Sequence, residues 1–222
     1  MSKAGIPFDV ARARYAQRAI ASRVVEEDEV RAEEVRLVAG VDVAHRGARA
    51  LAAAVVVDAR TLRQVSRAVV EADVRVPYIP TLLAFREAGP MVAAIRRLDL
   101  EPDVVIVDGN GRLHPLGAGI ACQVGLALDK PTIGVAKKLL CGEVGAWRGR
   151  EAPVTLSGRV VGVALMTSRR PIYVSVGHKV SLSTAVSIVW KLTRRGYRLP
   201  EPLRLAHLAA VEAAHSRTAS SG

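Results

Sequence analysis

The chain has 222 residues, half of them hydrophobic, a length that allows one domain or at most two small ones. No hydrophobic run reaches the ~20 residues of a bilayer span, which argues against a membrane-spanning protein. The isolated cysteines Cys122 and Cys141 have neither zinc-site nor disulfide-framework spacing, which argues against a zinc protein and a disulfide-rich secreted protein. The reducing cytoplasm is therefore the favoured location. The net charge of +11 favours a polyanionic partner, nucleic acid or an anionic membrane surface, and residues 167–222 hold nine basic but only two acidic residues.

The first half of the chain predicts strands flanked by helices. The mixed-charge segment from Pro7 to Glu34 predicts an N-terminal helix. The segment "RLVAGVDVAHRGARALAAAVVVDA" predicts a hairpin with its turn near Arg46–Gly47, and "RQVSRAVVEADVRV" predicts a third strand. After the proline-flanked "PYIP", a helix begins in "TLLAFRE", and Gly89–Pro90 is expected to break it before "PMVAAIRRL".

The second half predicts alternating strands and helices. "DVVIVDG" is the apolar run of a strand buried on both faces of a parallel sheet, "GAGIACQVGLAL" is a helix and "PTIGVA" is the next parallel strand. Shorter strands follow in "APVTL", "VVGVAL" and "IYVSVG". "SLSTAVSIVWKLTRR" predicts an amphipathic helix with a serine N-cap, and "EPLRLAHLAAVEAAH" predicts a last helix with Pro202 in its first turn.

This order predicts an α/β fold, a mixed sheet with helices on both faces. No linker divides the chain, so one domain is expected over residues 1–222, with residues 216–222 as a disordered tail.

Two aspartates lie in apolar strands, Asp42 within "LVAGVDVA" and Asp108 at the end of "VVIVD". A buried carboxylate costs free energy unless a partner or a metal ion compensates it, and sites in α/β sheets form at the carboxyl ends of strands. A cation between two such carboxylates would remove their repulsion, and oxygen ligands suit Mg²⁺. The alternative is that either aspartate is a turn or cap residue.

Four further residues are candidates, each with a structural alternative. Glu87 is either a third acidic group at the sheet edge or an exposed helix glutamate. His114 could donate to a phosphate or relay a proton, and Lys137 could neutralise a phosphoryl oxygen, unless both are residues without a role. Tyr78 in "PYIP" is either a wedge that stacks on a base or a packed loop residue. The glycine-rich "DGNG" and "GAG" match neither a P-loop nor a dinucleotide fingerprint.

Six ordered blocks between about Leu37 and Leu208 resemble the endonuclease V family of DNA repair nucleases. They are "AGVDVA", "PYIPTLLAFRE", "VIVDGNGRLHP", "PTIGVAKKLLCG", "VSVGHKVSLSTA" and "GYRLPEPLRLAH". The resemblance implies a ribonuclease H-like fold and cleavage of DNA at the second phosphodiester bond 3′ to deoxyinosine, leaving a 3′-hydroxyl and a 5′-phosphate. It also implies Mg²⁺ as the cofactor, with Mn²⁺ as a substitute.

The resemblance also assigns roles to residues. The metal-binding carboxylates are Asp42, Glu87 and Asp108, and the supporting active-site groups are His114, Lys137 and His207. The substrate-binding residues are Tyr78, Pro80, Thr81, Gly109 and His178, with Tyr78 as the wedge beside an extruded base.

Three positions depart from the family pattern. Thr81 stands where the family usually has glycine beside the base pocket, a change that is expected either to narrow the pocket or to alter the base preference. Leu116 stands where many bacterial members have arginine, so one phosphate contact is expected to be missing, and Gln123 stands where many have histidine. None of the three is an assigned metal ligand.

The sequence leaves three alternatives open. The substrate could be inosine in RNA rather than in DNA. The protein could bind nucleic acid without cleaving it, although all three acidic residues are present. The third and weakest alternative is a metal-dependent phosphotransferase on the same fold, which no nucleotide-phosphate loop supports.

Overall fold

Nine strands of the chain form one mixed sheet. The structure is a computed structural model that describes residues 8–216. Of the predicted tail, Ser216 belongs instead to the last turn of a helix, and residues 217–222 lie outside the described part. The strands are β1 (Leu37–Arg46), β2 (Arg49–Asp58), β3 (Gln64–Asp73), β4 (Val104–Asp108), β5 (Thr132–Ala136), β6 (Glu143–Val144), β7 (Glu151–Leu156), β8 (Arg159–Leu165) and β9 (Ile172–His178). The helices are α1 (Val10–Ala21), α2 (Ala84–Arg96), α3 (Ile120–Leu128), α4 (Leu182–Lys191) and α5 (Glu201–Ser216).

The strand order is β3-β2-β1-β4-β5-β9-β8-β7-β6. Strands β1, β4 and β5 run parallel to one another at the centre, and antiparallel strands extend the sheet on both sides. The predicted hairpin and the mixed sheet are therefore confirmed. The carboxyl ends of the three parallel strands meet at one edge, which is where sites form in such sheets.

Helices cover both faces of the sheet, as predicted. Ala39 and Val41 of β1 belong to the core beneath α2 and α3, whereas Val38 belongs to the core beneath α4 and α5. Strand β4 alternates in the same way, with Val105 and Val107 toward α2 and α3. Because side chains alternate between the faces of a strand, the even-numbered residues of both strands point toward α5. Within residues 8–216, no helix has the length and apolar character that a bilayer span needs.

The N-terminal helix runs from Val10 to Ala21, so the predicted range from Pro7 to Glu34 was too long at its C-terminal end, and Pro7 lies outside the described residues. The acidic segment after it is bound to another part of the chain. The carboxylate of Asp28 accepts the N–H of Ser181 at 2.6 Å and the hydroxyl of Thr184 at 2.9 Å, at the start of α4. These contacts hold the segment against the start of α4.

Helix α2 runs without a break through Gly89–Pro90, so the prediction of two helical pieces was wrong. A proline inside a helix costs about 3 kcal/mol. However, one face of α2 is buried against the sheet, including Met91 and Ile95. Together these two side chains contribute about 3–6 kcal/mol on burial, which offsets that cost. Strand β6 was not predicted, since two residues carry no detectable pattern.

Candidate active site

Asp42 and Asp108 lie side by side at the carboxyl edge of the parallel strands. Val41 of β1 pairs with Val107 of β4, and each aspartate is the next residue along its strand. Both positions are even-numbered, so both side chains point to the face covered by α5. Asp42 is buried and Asp108 is partly buried. The strand alternation thus brings together two carboxylates that are far apart in sequence.

His207 joins the two carboxylates from α5. Its Nδ1 lies 2.6 Å from Oδ2 of Asp42, and one ligand atom from each of the three residues lies within 4.8 Å of the other two. We call Asp42, Asp108 and His207 the Asp–Asp–His cluster. Gly40 permits this approach, because a Cβ built there would lie 2.2 Å from the backbone of Pro202 in α5.

The cluster concentrates negative charge in a poorly solvated place. Burial and the neighbouring charge of Asp42 raise the pKa of Asp108 to about 6, and Lys137 opposes this shift. The Lys137 ammonium lies 2.5 Å from Oδ2 of Asp108. A divalent cation held by two carboxylates and an imidazole would offset the remaining repulsion. The residues present therefore fit a divalent cation, and two of them, Asp42 and Asp108, are among the three predicted ligands.

Glu87 reaches the same edge from α2, on the opposite face of the sheet. Its Oε1 lies 2.6 Å from Nε2 of His45, and it is outside the cluster identified among residues 8–216. Burial above all, and then the charge of Asp42, raise the pKa of Glu87, whereas His45 opposes the shift. The carboxylate is near the cluster but bound to a histidine, so its assignment as a metal ligand stays a prediction.

A small cavity of about 100 Å³ opens at the same strand end. Its walls come from the PYIP loop, from the turn after β4 and from the start of α3. The lining residues include Tyr78, Thr81, Gly109, Asn110, His114 and Ile120. Gly109 and Asn110 directly follow Asp108, so the cavity and the Asp–Asp–His cluster share one strand end.

The PYIP loop carries its aromatic ring on the surface. The Tyr78 residue is 69% exposed, so it does not belong to the core, and the neighbouring Pro80 is also exposed. Thr81 has a φ of +67°, in the left-handed region that glycine adopts more readily. The backbone here thus has the conformation that suits the family's usual glycine, although this chain carries threonine.

His114 is buried in the cavity wall, and both of its ring nitrogens contact backbone groups. Nδ1 accepts the N–H of Leu116 at 3.2 Å, so Nε2 carries the proton and donates to the carbonyl of Thr81 at 2.9 Å. Burial lowers the pKa of His114, which keeps the ring neutral. A contact with a phosphate would require the ring to leave one of these partners, and the catalytic role of His114 stays a prediction.

The structure does not bring His178 to the cavity. It ends β9 opposite Thr132, the first residue of β5, whereas the cluster lies where the parallel strands end. The Nδ1 of His178 accepts the N–H of Val25 at 3.2 Å, and burial lowers the pKa of His178. This histidine binds the segment after α1 at the opposite end of the parallel strands from the cluster. The geometry therefore gives no support to its predicted contact with the substrate.

The sequence patterns did not point to Arg198 as a site residue. Its guanidinium donates to the carbonyl of Lys137 and to that of Pro171, the latter at 2.8 Å. It thereby holds the backbone of Lys137 against the segment that leads into β9. Its position in the block "GYRLPEP" could have indicated it. From the sequence alone, however, it is indistinguishable from the other basic residues of this region.

The basic C-terminal quarter does not form one free surface. Lys179 pairs with Asp129, at 2.9 Å, and both Arg194 and Arg204 pair with Glu201. These cations are engaged within the chain. Only part of the positive charge predicted for this region is therefore available to a polyanion.

Comparison with known proteins points to one family. The model of the family Endonuclease V matches residues 18–208. A curated endonuclease V from Thermofilum pendens is 59% identical over 205 residues, which cover 91% of this chain and 88% of that protein.

Solved structures agree with this match. Endonuclease V from Streptomyces avermitilis has a TM-score of 0.87 at 38% identity, and the match covers 97% of each chain. A Ciona intestinalis endonuclease V (D234N) is 28% identical to this chain with a TM-score of 0.84, and the match covers 92% of this chain and 96% of that chain. That protein was crystallised with a 23mer DNA containing an inosine followed by a ribo-adenosine. Structures of this kind have an RNase H-like fold, so the predicted fold is confirmed.

Proposed function

Because the chain belongs to the endonuclease V family of nucleases, we propose that it cleaves DNA at the second phosphodiester bond 3′ to deoxyinosine, in DNA repair. The observation that carries this proposal is the shared strand end. Asp108 belongs to the Asp–Asp–His cluster, and the next two residues, Gly109 and Asn110, line the cavity. A base held in the cavity would thus leave a nearby phosphate at the cluster.

Asp42, Asp108 and His207 would hold the cation on which this family depends. We propose Mg²⁺, with Mn²⁺ as a substitute, and Glu87 would complete its surroundings. A bound divalent cation supplies positive charge to phosphate oxygens and lowers the pKa of a water molecule.

The chain's own side chains contribute charge and orientation to the reaction. Lys137, beside Asp108, presents its ammonium where negative charge develops on the phosphate. The His207 side chain is 45% exposed, so its second ring nitrogen can hold the attacking water. The water gives up one proton to the surrounding solvent as its oxygen bonds to phosphorus, while the bond from phosphorus to the 3′ oxygen breaks. That oxygen takes up a proton, leaving a 3′-hydroxyl and a 5′-phosphate.

Recognition requires that the deaminated base leave the duplex. Inosine pairs weakly, which lowers the cost of extrusion, and the exposed Tyr78 would fill the gap. The base edge offers one N–H donor and one carbonyl acceptor. The side-chain oxygen of Asn110 is buried without a hydrogen-bond partner among residues 8–216. It is a candidate acceptor for that N–H, alongside the backbone carbonyl of Gly109.

The proposal also covers the setting of the activity. We propose a single catalytic domain in the cytoplasm, where the free thiols of Cys122 and Cys141 would stay reduced. The net charge of +11 supports a nucleic-acid substrate, and affinity should then fall steeply as salt rises.

A duplex with one deoxyinosine, labelled at either end, tests the proposal. With Mg²⁺ or Mn²⁺ we expect a single nick at the second bond on the 3′ side, and no nick with a chelator or on the matched adenosine duplex. Asp108→Asn should abolish cleavage and retain most of the binding. Equal cleavage of both duplexes would contradict the proposal, and binding without any cleavage would favour the non-catalytic alternative. Comparing the cleavage rates of the inosine strand in its DNA and RNA forms shows which of the two nucleic acids is the preferred substrate.

A further inference from the structure

Gln17 is a buried glutamine on α1 whose side-chain amide reaches the PYIP loop. It is 0% exposed. Its Nε2 donates to the carbonyl of Thr81 at 2.6 Å, and its Oε1 accepts from the guanidinium of Arg14 at 3.3 Å. Because a guanidinium has only donors, Arg14 determines which end of the amide faces the loop. A surface helix thus directs an amide NH2 group into the cavity wall, where its nitrogen also lies 3.5 Å from Nε2 of His114.

The carbonyl that Gln17 binds belongs to a strained residue. Thr81 has a φ of +67°, which β-branched residues rarely adopt because Cβ approaches the carbonyl oxygen too closely. Among residues 8–216, its hydroxyl forms one hydrogen bond, to the adjacent carbonyl of Pro80 at 2.5 Å. Such a residue keeps its conformation when the surrounding structure holds it.

His114 supplies the second contact to the same oxygen, at 2.9 Å from Nε2. A carbonyl oxygen has two lone pairs, so Gln17 and His114 together satisfy both. One donor comes from α1 and the other from the loop after β4. Two remote segments therefore converge on one carbonyl in the cavity wall.

We propose that Gln17 is a positioning residue for base recognition: with His114 it holds Thr81 in the left-handed conformation and so sets one wall of the base cavity. This inference rests on the proposed function. It adds a residue immediately before the part of the chain that matches the family model, which begins at residue 18. Glycine at position 81 would adopt the positive φ without support. Because this chain has threonine there, the N–H donors of Gln17 and His114 are needed to hold that conformation.

Gln17→Met tests the proposal, because it removes the donor and nearly keeps the side-chain length. Binding of a labelled deoxyinosine duplex, measured in chelator to prevent cleavage, should weaken about fivefold, as expected for one net hydrogen bond. The single-turnover rate at saturating protein should change by less than about twofold. Gln64→Met, at an exposed position in β3, is the matched control and should bind like the wild type.

Thr81→Gly separates positioning from general stabilisation. In that background Gln17→Met should weaken inosine binding by less than about twofold, since glycine needs no support. Equal losses in both backgrounds, an equal loss on the adenosine duplex, or no loss at all would overturn the inference. If the wild-type protein bound and cleaved the inosine and adenosine duplexes equally, the proposed function itself would be contradicted. That result would be seen before any substitution is made.

Discussion

The close approach of α5 to β1 predicts a large effect from one added methyl group. In Gly40→Ala, the new Cβ would lie 2.2 Å from the backbone of Pro202, whereas ordinary contact begins at 3.4 Å. The helix must therefore retreat from the strand by about 1.2 Å, the difference between these two distances. His207 moves with the helix, and its 2.6 Å contact with Asp42 is lost.

Two magnitudes follow from this displacement. A misplacement of about 1 Å in a catalytic group lowers the rate about 100-fold. Overpacking of this kind costs about 1–3 kcal/mol, which corresponds to a fall in Tm of about 2–12 °C for a chain of this size.

Single-turnover cleavage of the deoxyinosine duplex and thermal unfolding measure the two effects. Gly89→Ala is the matched control, because its Cβ would meet nothing within 4 Å. Inside α2, alanine should stabilise the protein by about 0.5–1 kcal/mol and leave cleavage unchanged. A Gly40→Ala protein with the wild-type rate and Tm would refute the proposed dependence of His207 on this helix contact.

Thr81→Ala should be less stable than Thr81→Gly by about 1 kcal/mol, because alanine keeps the cost of a positive φ; equal stabilities in denaturant unfolding would contradict the left-handed backbone. The pKa of Asp108, raised to about 6 from 3.8, means that the folded, metal-free protein binds this proton more tightly than the unfolded chain. Its contribution to stability is therefore present below pH 3.8 and is lost as the pH rises through about 6. Mn²⁺ must displace the proton, so the Tm increase that it causes should be larger at about pH 7.5 than at about pH 5, and a pH-independent increase would argue against this. Arg198→Ala should slow single-turnover cleavage about tenfold with near-normal binding, because Lys137 loses backbone support. Arg96→Ala is the matched control, because it removes another hydrogen bond from an arginine to a carbonyl, distant from the Asp–Asp–His cluster. An equal loss of cleavage rate in Arg96→Ala would contradict a specific role for Arg198.

The central strands and both aspartates were predictable from the sequence. A strand buried on both faces leaves a continuous aliphatic run, and a carboxylate within or at the end of such a run stands out. Once β1 and β4 are parallel and paired at Val41 and Val107, alternation alone places Asp42 and Asp108 on one face.

Contacts between remote segments were not predictable in this way. Gln17 resembles any polar residue of an amphipathic helix, and Arg198 resembles its basic neighbours, until the fold shows the carbonyls that they bind. The continuity of α2 through Pro90 has a similar origin. Local preference favours a break there, and only burial against a sheet formed by other segments reverses it.

The Asp–Asp–His cluster draws its members from the first strand, a central strand and the last helix. During synthesis, Asp42 and Asp108 therefore emerge from the ribosome long before His207. A nascent or truncated chain that lacks α5 therefore has Asp42 and Asp108 but not His207, so the cation affinity that we propose for the cluster should appear only once α5 has been made and packed against β1.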